Sequence, residues 1–209
     1  TKAQELVDIS GDFAFFKTHS ANVISNKKHF YTTNKTTRGV ILVVRDPRDV
    51  AISYSAKHIN KTTDEVIDLM TNPDVISRTT DNKLGLPMIH LNWEKFYRSW
   101  LHLDSPKLLL KFEDMKKDPE KVVIDILNFF KNEYNFQFNN ESNLINNILE
   151  TTDFKTLKTK EKEQGLIDKE KGAYFRSAKT NEWSNKLTLD QIKKIESNFN
   201  KLMKELGYL

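Results

Sequence analysis

The strand-to-helix junction that begins at residues 39–45 constrains the fold of this chain more than any other segment. These residues (GVILVVR) contain a continuous run of Val, Ile and Leu, which is typical of a parallel strand covered on both faces. A helix is predicted to follow, because Asp46 can cap it and Pro47 suits its first position. Arg45 therefore lies at the carboxyl end of a strand, where α/β proteins bind ligands.

Further strands and helices alternate along the chain. A second buried strand is predicted at residues 107–112 (KLLLKF) and a short one at 12–17 (DFAFFK), whereas the polar residues 20–38 predict a loop with little regular structure. Three more helix starts carry capping signals: Thr62 with Glu65, Asp118 with Pro119, and Thr188 with Gln191. This alternation predicts an α/β fold in which helices flank a central parallel sheet.

Composition limits the remaining possibilities. A length of 209 residues suits one domain over 1–209, and a net charge of +4 is too small to indicate a nucleic-acid partner. No apolar run approaches the roughly 20 residues that span a bilayer. The absence of cysteine excludes disulfides and thiolate metal sites. We expect a soluble cytoplasmic protein without a membrane span or a metal, of open oligomeric state.

Arg45 and Ser53 are the first candidate binding residues. A cation at a strand end faces the ligand crevice, and the following helix offers free backbone N–H groups to an anion. Ser53 lies about two helical turns beyond Arg45, so its hydroxyl could donate to the same anion. The pattern alone leaves a second interpretation open, in which Arg45 pairs with Asp49 and Ser53 is an ordinary helix residue.

The sequence of this segment resembles a motif of the PAPS-dependent sulfotransferases, where PAPS is 3′-phosphoadenosine 5′-phosphosulfate. Their strand is followed by Arg-Asn/Asp-Pro-x-Asp-Val-Ala-x-Ser, and residues 45–53 (RDPRDVAIS) match it. The resemblance implies a P-loop-NTPase-like sulfotransferase fold in which Arg45 and Ser53 bind the 3′-phosphate. Residues 108–115 (LLLKFEDM) resemble the strand and Tyr-Glu-Asp-Met of the family, with Phe112 in place of the Tyr.

Two other matches imply roles in catalysis and in adenine binding. The sequence Phe-Lys-Thr-His at residues 16–19 resembles the family's Lys-Thr-His, which implies that His19 is the catalytic base and that Lys17 supports the phosphosulfate. Without the resemblance, His19 is a loop histidine and Lys17 a solvated lysine. The Thr-Asp-Phe of residues 152–154 resembles Thr-Ser-Phe, which implies that Thr152 and Phe154 hold the adenine; Phe154 is equally read as a core anchor.

The C-terminal match is less complete. Residues 174–188 resemble the family's Phe-x-Arg-Lys-Gly loop, which implies that Arg176 contacts the 3′-phosphate. Ser177 and Ala178 stand where the family has Lys-Gly, and we assign them to the same phosphate, with Lys179 as a possible substitute cation. The family's phosphosulfate loop, Tyr-Pro-Lys-Ser-Gly-x-Thr-Trp, has no counterpart, so we expect an N-terminal strand and loop to be missing. The sequence of the predicted helical segments resembles the bacterial members of the family more than the animal ones.

The resemblance implies an enzyme that moves a sulfuryl group from PAPS to a hydroxyl or amine of a small-molecule acceptor and releases adenosine 3′,5′-bisphosphate (PAP), without a metal. Two alternatives stay open. The chain could be a module that binds PAP without catalysis, or a relative of the P-loop kinases that uses ATP·Mg²⁺. The sequence does not identify the acceptor.

Overall fold

The structure is a computed structural model, and it describes residues 14–25, 29–57, 61–77, 88–165, 173, 175 and 177–209. The chain divides into two compact units. The first consists of Thr1–Leu42, Ile67–Lys107 and Lys193–Leu209, and the second of Val43–Val66 and Leu108–Ile192. The single domain expected from the length stays a prediction.

The strands form pairs. In the described part of the chain they are β1 (Ile24–Ser25), β2 (His29–Phe30), β3 (Val40–Val44), β4 (Ile76–Ser77), β5 (Met88–Ile89) and β6 (Lys107–Lys111). Strands β3 and β6 lie side by side in a parallel sheet. The other pairs are short and antiparallel, β1 with β2 and β4 with β5. The predicted α/β fold and both long strands are confirmed.

As predicted, a helix follows each long strand, and the described residues form nine helices. They are α1 (Pro47–Lys57), α2 (Thr63–Thr71), α3 (Trp93–Leu101), α4 (Phe112–Lys117), α5 (Pro119–Tyr134), α6 (Glu141–Thr152), α7 (Phe154–Glu163), α8 (Trp183–Lys186) and α9 (Leu189–Glu205). Helix α4 follows β6 directly, as α1 follows β3 after two residues. Both junctions therefore present a strand end beside a helix start, which is the arrangement that places ligand-binding groups.

The helix caps form as their sequence signals predict. The Thr62 N–H donates to Glu65 Oε2 at 2.7 Å, and the Glu65 N–H donates back to Thr62 Oγ1 at 3.2 Å. Thr188 and Gln191 make the same reciprocal pair at 3.0 and 3.3 Å. Each box satisfies backbone donors that the first turn of a helix leaves free, which is why the sequence alone locates these ends.

Aromatic side chains contribute to the core of the first unit. Trp93 and Trp100 of α3 are buried, and the Trp93 ring lies 5.4 Å from the buried Phe199 ring of α9. The Trp100 indole N–H donates to the Ser20 carbonyl at 3.1 Å. Burying side chains of this size contributes about 1.5–3 kcal/mol each. The aromatic spacing on α3 thus serves packing.

Two strand expectations need correction. Strand β3 buries Leu42 and Val44 but exposes Ile41 and Val43, so its described neighbours cover one face and not both. A run of β-branched residues reports strand propensity, whereas coverage depends on what packs against the strand. The predicted strand at 12–17 is also wrong for its described part: residues 14–17 belong to no strand, with Phe15 74% and Phe16 61% exposed.

Candidate nucleotide-binding site

Arg45 lies between the end of β3 and the start of α1, in the second unit. Its Nη2 donates to the Lys179 carbonyl at 2.8 Å and lies 3.9 Å from Asp49 Oδ2. Its guanidinium carbon lies 4.6 Å from the centre of the Phe112 ring. The Nε is buried and has no hydrogen-bond partner among the described residues. Arg45 is thus held in place on several sides, and its buried Nε is a donor whose lack of a described partner calls for an explanation.

Asp49, one turn into α1, is only 1% exposed. Its Oδ2 accepts the Asn181 N–H at 2.7 Å and its Oδ1 accepts the Trp183 N–H at 3.1 Å. Burial raises the pKa of Asp49 above its ordinary value, and the hydrogen bonds from Trp183 and Asn181 and the charge of Arg45 offset only part of that rise. A buried carboxylate that bonds a distant backbone segment is a device for holding that segment in place.

Asp46 and Arg48 form a buried ion pair beside this carboxylate. Asp46 Oδ1 accepts the Arg48 backbone N–H at 2.9 Å, and Asp46 Oδ2 accepts Arg48 Nη2 at 2.7 Å. The Arg48 guanidinium lies 3.8 Å from the centre of the Trp183 ring, within range for a cation–π contact. The Asp46 N–H donates to Glu113 Oε1 at 3.0 Å. The start of α1 is therefore fixed to α4 and α8.

Residues 177–183, hereafter the C-terminal segment, carry two of the predicted phosphate residues. The Ser177 hydroxyl donates to Glu182 Oε2 at 3.4 Å, so a carboxylate lies beside one predicted phosphate ligand. Ala178 and Asn181 have positive φ angles of 48° and 60°, a region that a residue with a Cβ enters at a cost. Arg176 lies outside the described residues. Lys179 is exposed, and it contacts Arg45 through its backbone carbonyl, which accepts a hydrogen bond, and not through its ammonium group.

Ser53 lies one further turn along α1, four residues after Asp49, and is half-buried. Residues four apart share a face of a helix. Arg45, Asp49 and Ser53 therefore follow one another at this spacing. This arrangement is consistent with both interpretations of the sequence. Arg45 does approach Asp49, as the second interpretation expects. Both Asp49 oxygens, however, accept backbone N–H groups, and the Arg45 Nε has no hydrogen-bond partner among the described residues.

The predicted adenine residues lie at the junction of α6 and α7. Phe154 is half-buried, with the Phe175 ring edge-on at 6.3 Å and the ammonium groups of Lys116 and Lys158 at 5.3 and 6.0 Å from its ring centre. The Thr152 hydroxyl donates to the Ile148 carbonyl of its own helix at 2.6 Å. The Phe154 ring is thus only partly covered, and two cations lie within cation–π range of it.

The predicted catalytic residues belong to the first unit. Lys17 and His19 are exposed. Between them, Thr18 Oγ1 lies 2.5 Å from the Tyr31 hydroxyl and accepts the Ser20 N–H at 3.0 Å. The Ala21 N–H donates to the Ile89 carbonyl at 2.8 Å. Burial, and then the charge of His19, lower the pKa of the half-buried His90. His19 therefore has a second histidine in its surroundings.

Sequence reasoning missed several contacts that build this region. It assigned no role to Arg48 and Trp183, which contact each other, and none to Lys158, which lies near Phe154. Asp49 was identified only as a possible partner of Arg45. Its bonds to Asn181 and Trp183 join residues 132 and 134 positions apart, and no local pattern contains such a distance.

No helix in the described part of the chain is long and apolar enough to cross a membrane. Among the same residues, no group of three or more His, Asp or Glu side chains could hold a metal ion. A metal-free reaction remains a prediction.

Comparisons with known proteins point to one family. The family description "Sulfotransferase domain" matches residues 7–207. A flavonol 3-sulfotransferase of Flaveria bidentis is 26% identical over 168 residues, 75% of this chain and 52% of that protein. Cytosolic sulfotransferase 17 of Arabidopsis thaliana is 31% identical over 110 residues, 49% of this chain and 31% of that protein. The chain spans about half the length of the curated relatives that it matches.

Solved structures show the same fold. A mouse sulfotransferase in complex with PAP superposes with a TM-score of 0.60 at 20% identity, over 81% of this chain and 59% of that one. A retinol dehydratase in complex with androsterone and PAP gives 0.54 at 19% identity, over 78% and 47%. Since the family match extends over nearly all of the sequence, this chain belongs to the sulfotransferase family.

Proposed function

We propose that the protein is a PAPS-dependent sulfotransferase that transfers a sulfuryl group to a hydroxyl or amine of a small molecule. Arg45 carries the proposal. It combines the strand-end position of an anion-binding residue with a buried Nε that has no hydrogen-bond partner among the described residues. A buried N–H without a hydrogen-bond partner calls for a ligand or another explanation. The 3′-phosphate of PAPS carries a negative charge that complements the positive charge of Arg45.

We assign Ser53 to the same phosphate, together with Arg176 and the backbone at Ser177 and Ala178. Residues 177–178 directly precede Lys179, whose carbonyl accepts a hydrogen bond from Arg45. A backbone N–H can bind a phosphate whatever the side chain, so Ser177 and Ala178 need no positive charge to contribute.

Phe154 and Thr152 are assigned to the adenine. The half-buried Phe154 ring offers a stacking surface, and Lys116 and Lys158 lie near it. The Thr152 hydroxyl donates to Ile148 but retains lone pairs that can accept a bond from an amino group.

PAPS, when bound, supplies an activated sulfuryl group and is converted to PAP. The chain must remove a proton from the attacking acceptor, and His19 is the base assigned to this step because imidazole titrates near neutral pH. The exposed His19 is accessible to an acceptor. Lys17 is assigned to stabilise the negative charge of the phosphosulfate, since fixed cations lower the barrier of group transfer.

The acceptor is proposed to be a small organic molecule with a hydroxyl or amine. Two of the relatives are named for flavonols, and one solved structure holds androsterone and another retinol. The expectations of a cytoplasmic location and of no nucleic-acid partner remain predictions.

The decisive experiment combines binding and turnover. Calorimetry with PAP tests the nucleotide site, and transfer of ³⁵S-sulfate from PAPS to a panel of phenols, flavonols, hydroxysteroids and amines tests the activity. PAP binding with no transfer to any acceptor favours the non-catalytic binding module. Phosphate transfer from ATP·Mg²⁺, with no response to PAPS in EDTA, would identify a kinase relative and refute the proposal.

A further inference from the structure

The buried carboxylate of Asp49 has no role in the reaction proposed above, yet it organises the region around Arg45. Each of its oxygens accepts one backbone N–H of the C-terminal segment, from Asn181 at 2.7 Å and from Trp183 at 3.1 Å. A carboxylate suits this task because both of its oxygens are acceptors. Asp49 therefore fixes two points of that segment against helix α1.

The same segment holds Arg45. The Lys179 carbonyl, two residues before Asn181, accepts the Arg45 Nη2 hydrogen bond at 2.8 Å. The direction of that carbonyl is set by where Asn181 is anchored. Asp49 itself stays 3.9 Å from Arg45 Nη2, a distance that leaves an electrostatic attraction but no hydrogen bond. Arg45 is thereby oriented through the segment, and its Nε is not consumed.

The backbone of the segment needs external support. Ala178 and Asn181 adopt left-handed conformations, with φ of 48° and 60°, and an alanine there is disfavoured. The Asp49 bonds and the stacking of Arg48 on the Trp183 ring at 3.8 Å are the contacts that hold the far end of the segment. Without the Asp49 bonds the segment is free to relax.

We infer that Asp49 is a positioning residue, which holds the C-terminal segment so that the Lys179 carbonyl orients the Arg45 guanidinium toward the 3′-phosphate of the donor. This inference rests on the proposed function. Both Asp49 oxygens bond backbone N–H groups of the protein, so its effect is expected at the phosphate that Arg45 binds.

The test compares two nucleotides that differ only in that phosphate. Asp49→Asn replaces one acceptor oxygen by an amide that faces a backbone N–H. Its dissociation constant for PAP is expected to rise about tenfold, as for the loss of one charge-assisted hydrogen bond. Its affinity for adenosine 5′-monophosphate is expected to stay within twofold of wild type. General damage to the fold would weaken both nucleotides alike.

Asp125→Asn is the matched control, because it makes the same chemical change in the same unit, at a surface ion pair with Lys121. It is expected to leave both affinities unchanged. Hydrogen–deuterium exchange measures how fast the backbone amides of Asn181 and Trp183 exchange with solvent. This exchange should be faster in Asp49→Asn than in Asp125→Asn. This measurement needs no nucleotide.

A second pair of variants acts from the other side of the bond. Asn181→Ala keeps the N–H but disfavours φ of 60°, whereas Asn181→Gly accepts that angle. We expect Asn181→Ala to bind PAP about threefold more weakly than Asn181→Gly. This pair tests the inference even if Asp49→Asn does not fold.

The outcomes separate the two claims. A wild-type protein that binds no PAP refutes the proposed function, and the positioning role falls with it. A wild-type protein that binds PAP while Asp49→Asn binds it equally well refutes the inference alone. Equal losses of PAP and adenosine 5′-monophosphate, or unchanged amide exchange, also overturn it.

Discussion

The surroundings of Arg45 and those of His19 differ in how firmly the protein holds the functional side chain. Arg45 is 19% exposed and contacts a carbonyl and an aromatic ring, beside the buried Asp49. His19 is exposed and follows two exposed phenylalanines, and the bond between Thr18 and Tyr31 secures the residue before it. Contacts on several sides hold the Arg45 side chain directly, whereas residues 17–19, which carry the proposed base and are hereafter called the catalytic segment, are held through Thr18.

This difference has a physical basis. A phosphate is the same in every catalytic cycle, so rigid donors bind it without the cost of ordering them each time. A base must approach an acceptor whose shape can vary, and exposure permits that approach. The four predictions below test this contrast, from the largest expected effect to the smallest.

Replacing the proposed base should have the largest effect. His19→Ala is expected to lower kcat for sulfate transfer by about 10²–10⁴-fold, because general base catalysis contributes on that order. PAP affinity, measured by calorimetry, should stay within twofold of wild type. The control is His102→Ala, another exposed histidine of the same unit. Transfer by His19→Ala at the rate of the His102→Ala control would remove His19 from the mechanism.

Removing Arg45, the cation assigned to the 3′-phosphate, should weaken the binding of PAP instead. Arg45→Gln eliminates the charge and the unused Nε donor, and it leaves the buried Asp49 without its counter-charge. The dissociation constant for PAP is expected to rise about 100-fold, since bonds to charged groups contribute up to about 3 kcal/mol. Lys204→Gln removes an exposed cation from the last turn of α9 and should change nothing. Equal PAP affinities in the two variants would contradict the assignment.

Loosening the catalytic segment should have a smaller effect. Tyr31→Phe removes the hydroxyl that lies 2.5 Å from Thr18 Oγ1, while a ring remains to pack edge-on against Trp100. We expect kcat to fall about three- to tenfold with PAP affinity retained. Thr18→Val also removes the acceptor of the Ser20 N–H, so it should lower kcat at least as much. The double variant should be no worse than Thr18→Val alone, because that variant has already lost the bond to Tyr31. Fully additive losses would show two separate roles.

The smallest effect concerns pH. The pKa of Asp49 is raised in the folded protein, so between its ordinary value and the raised one the folded state binds more protons than the unfolded state. The free energy of unfolding contributed by Asp49 therefore falls as pH rises through that window. Arg45, which lowers this pKa, and Asp46, which raises it, are retained in the variant Asp49→Asn.

Denaturant titrations from about pH 3.5 to 7 measure this contribution as the difference between wild type and Asp49→Asn. Wild type is expected to lose stability relative to the variant as pH rises. Glu205, whose pKa is lowered mainly by its hydrogen bond with Arg98, acts in the opposite direction but cancels in the difference. A difference that does not vary with pH would mean that Asp49 titrates normally.

Local signals predicted much of the fold. The capping boxes at Thr62 and Thr188 and the cap at Asp118 form as expected, because each is a hydrogen bond between residues three apart. The strand at residues 107–112 appears as Lys107–Lys111. The strand at 12–17 fails in its described part, since a strand also needs a partner along its edge.

The candidate site was only partly predictable. The assigned roles of the Arg45, Ser53, Thr152 and Phe154 side chains remain predictions, and Arg176 lies outside the described residues. That the Ser177 hydroxyl donates to Glu182 could not be read from the sequence, since a serine five residues before a glutamate has many other conformations available.

The sequence by itself determined where the β3 strand ends, where helix α1 begins, and hence that Arg45 stands at the junction, because strand and cap preferences act over a few neighbouring residues. It also carried the family resemblance. Only the tertiary structure decided that Asp49 bonds Asn181 and Trp183 and that the Lys179 carbonyl accepts a hydrogen bond from Arg45. These partners lie more than 130 residues apart, and such contacts arise from the path of the whole chain, which no local preference encodes.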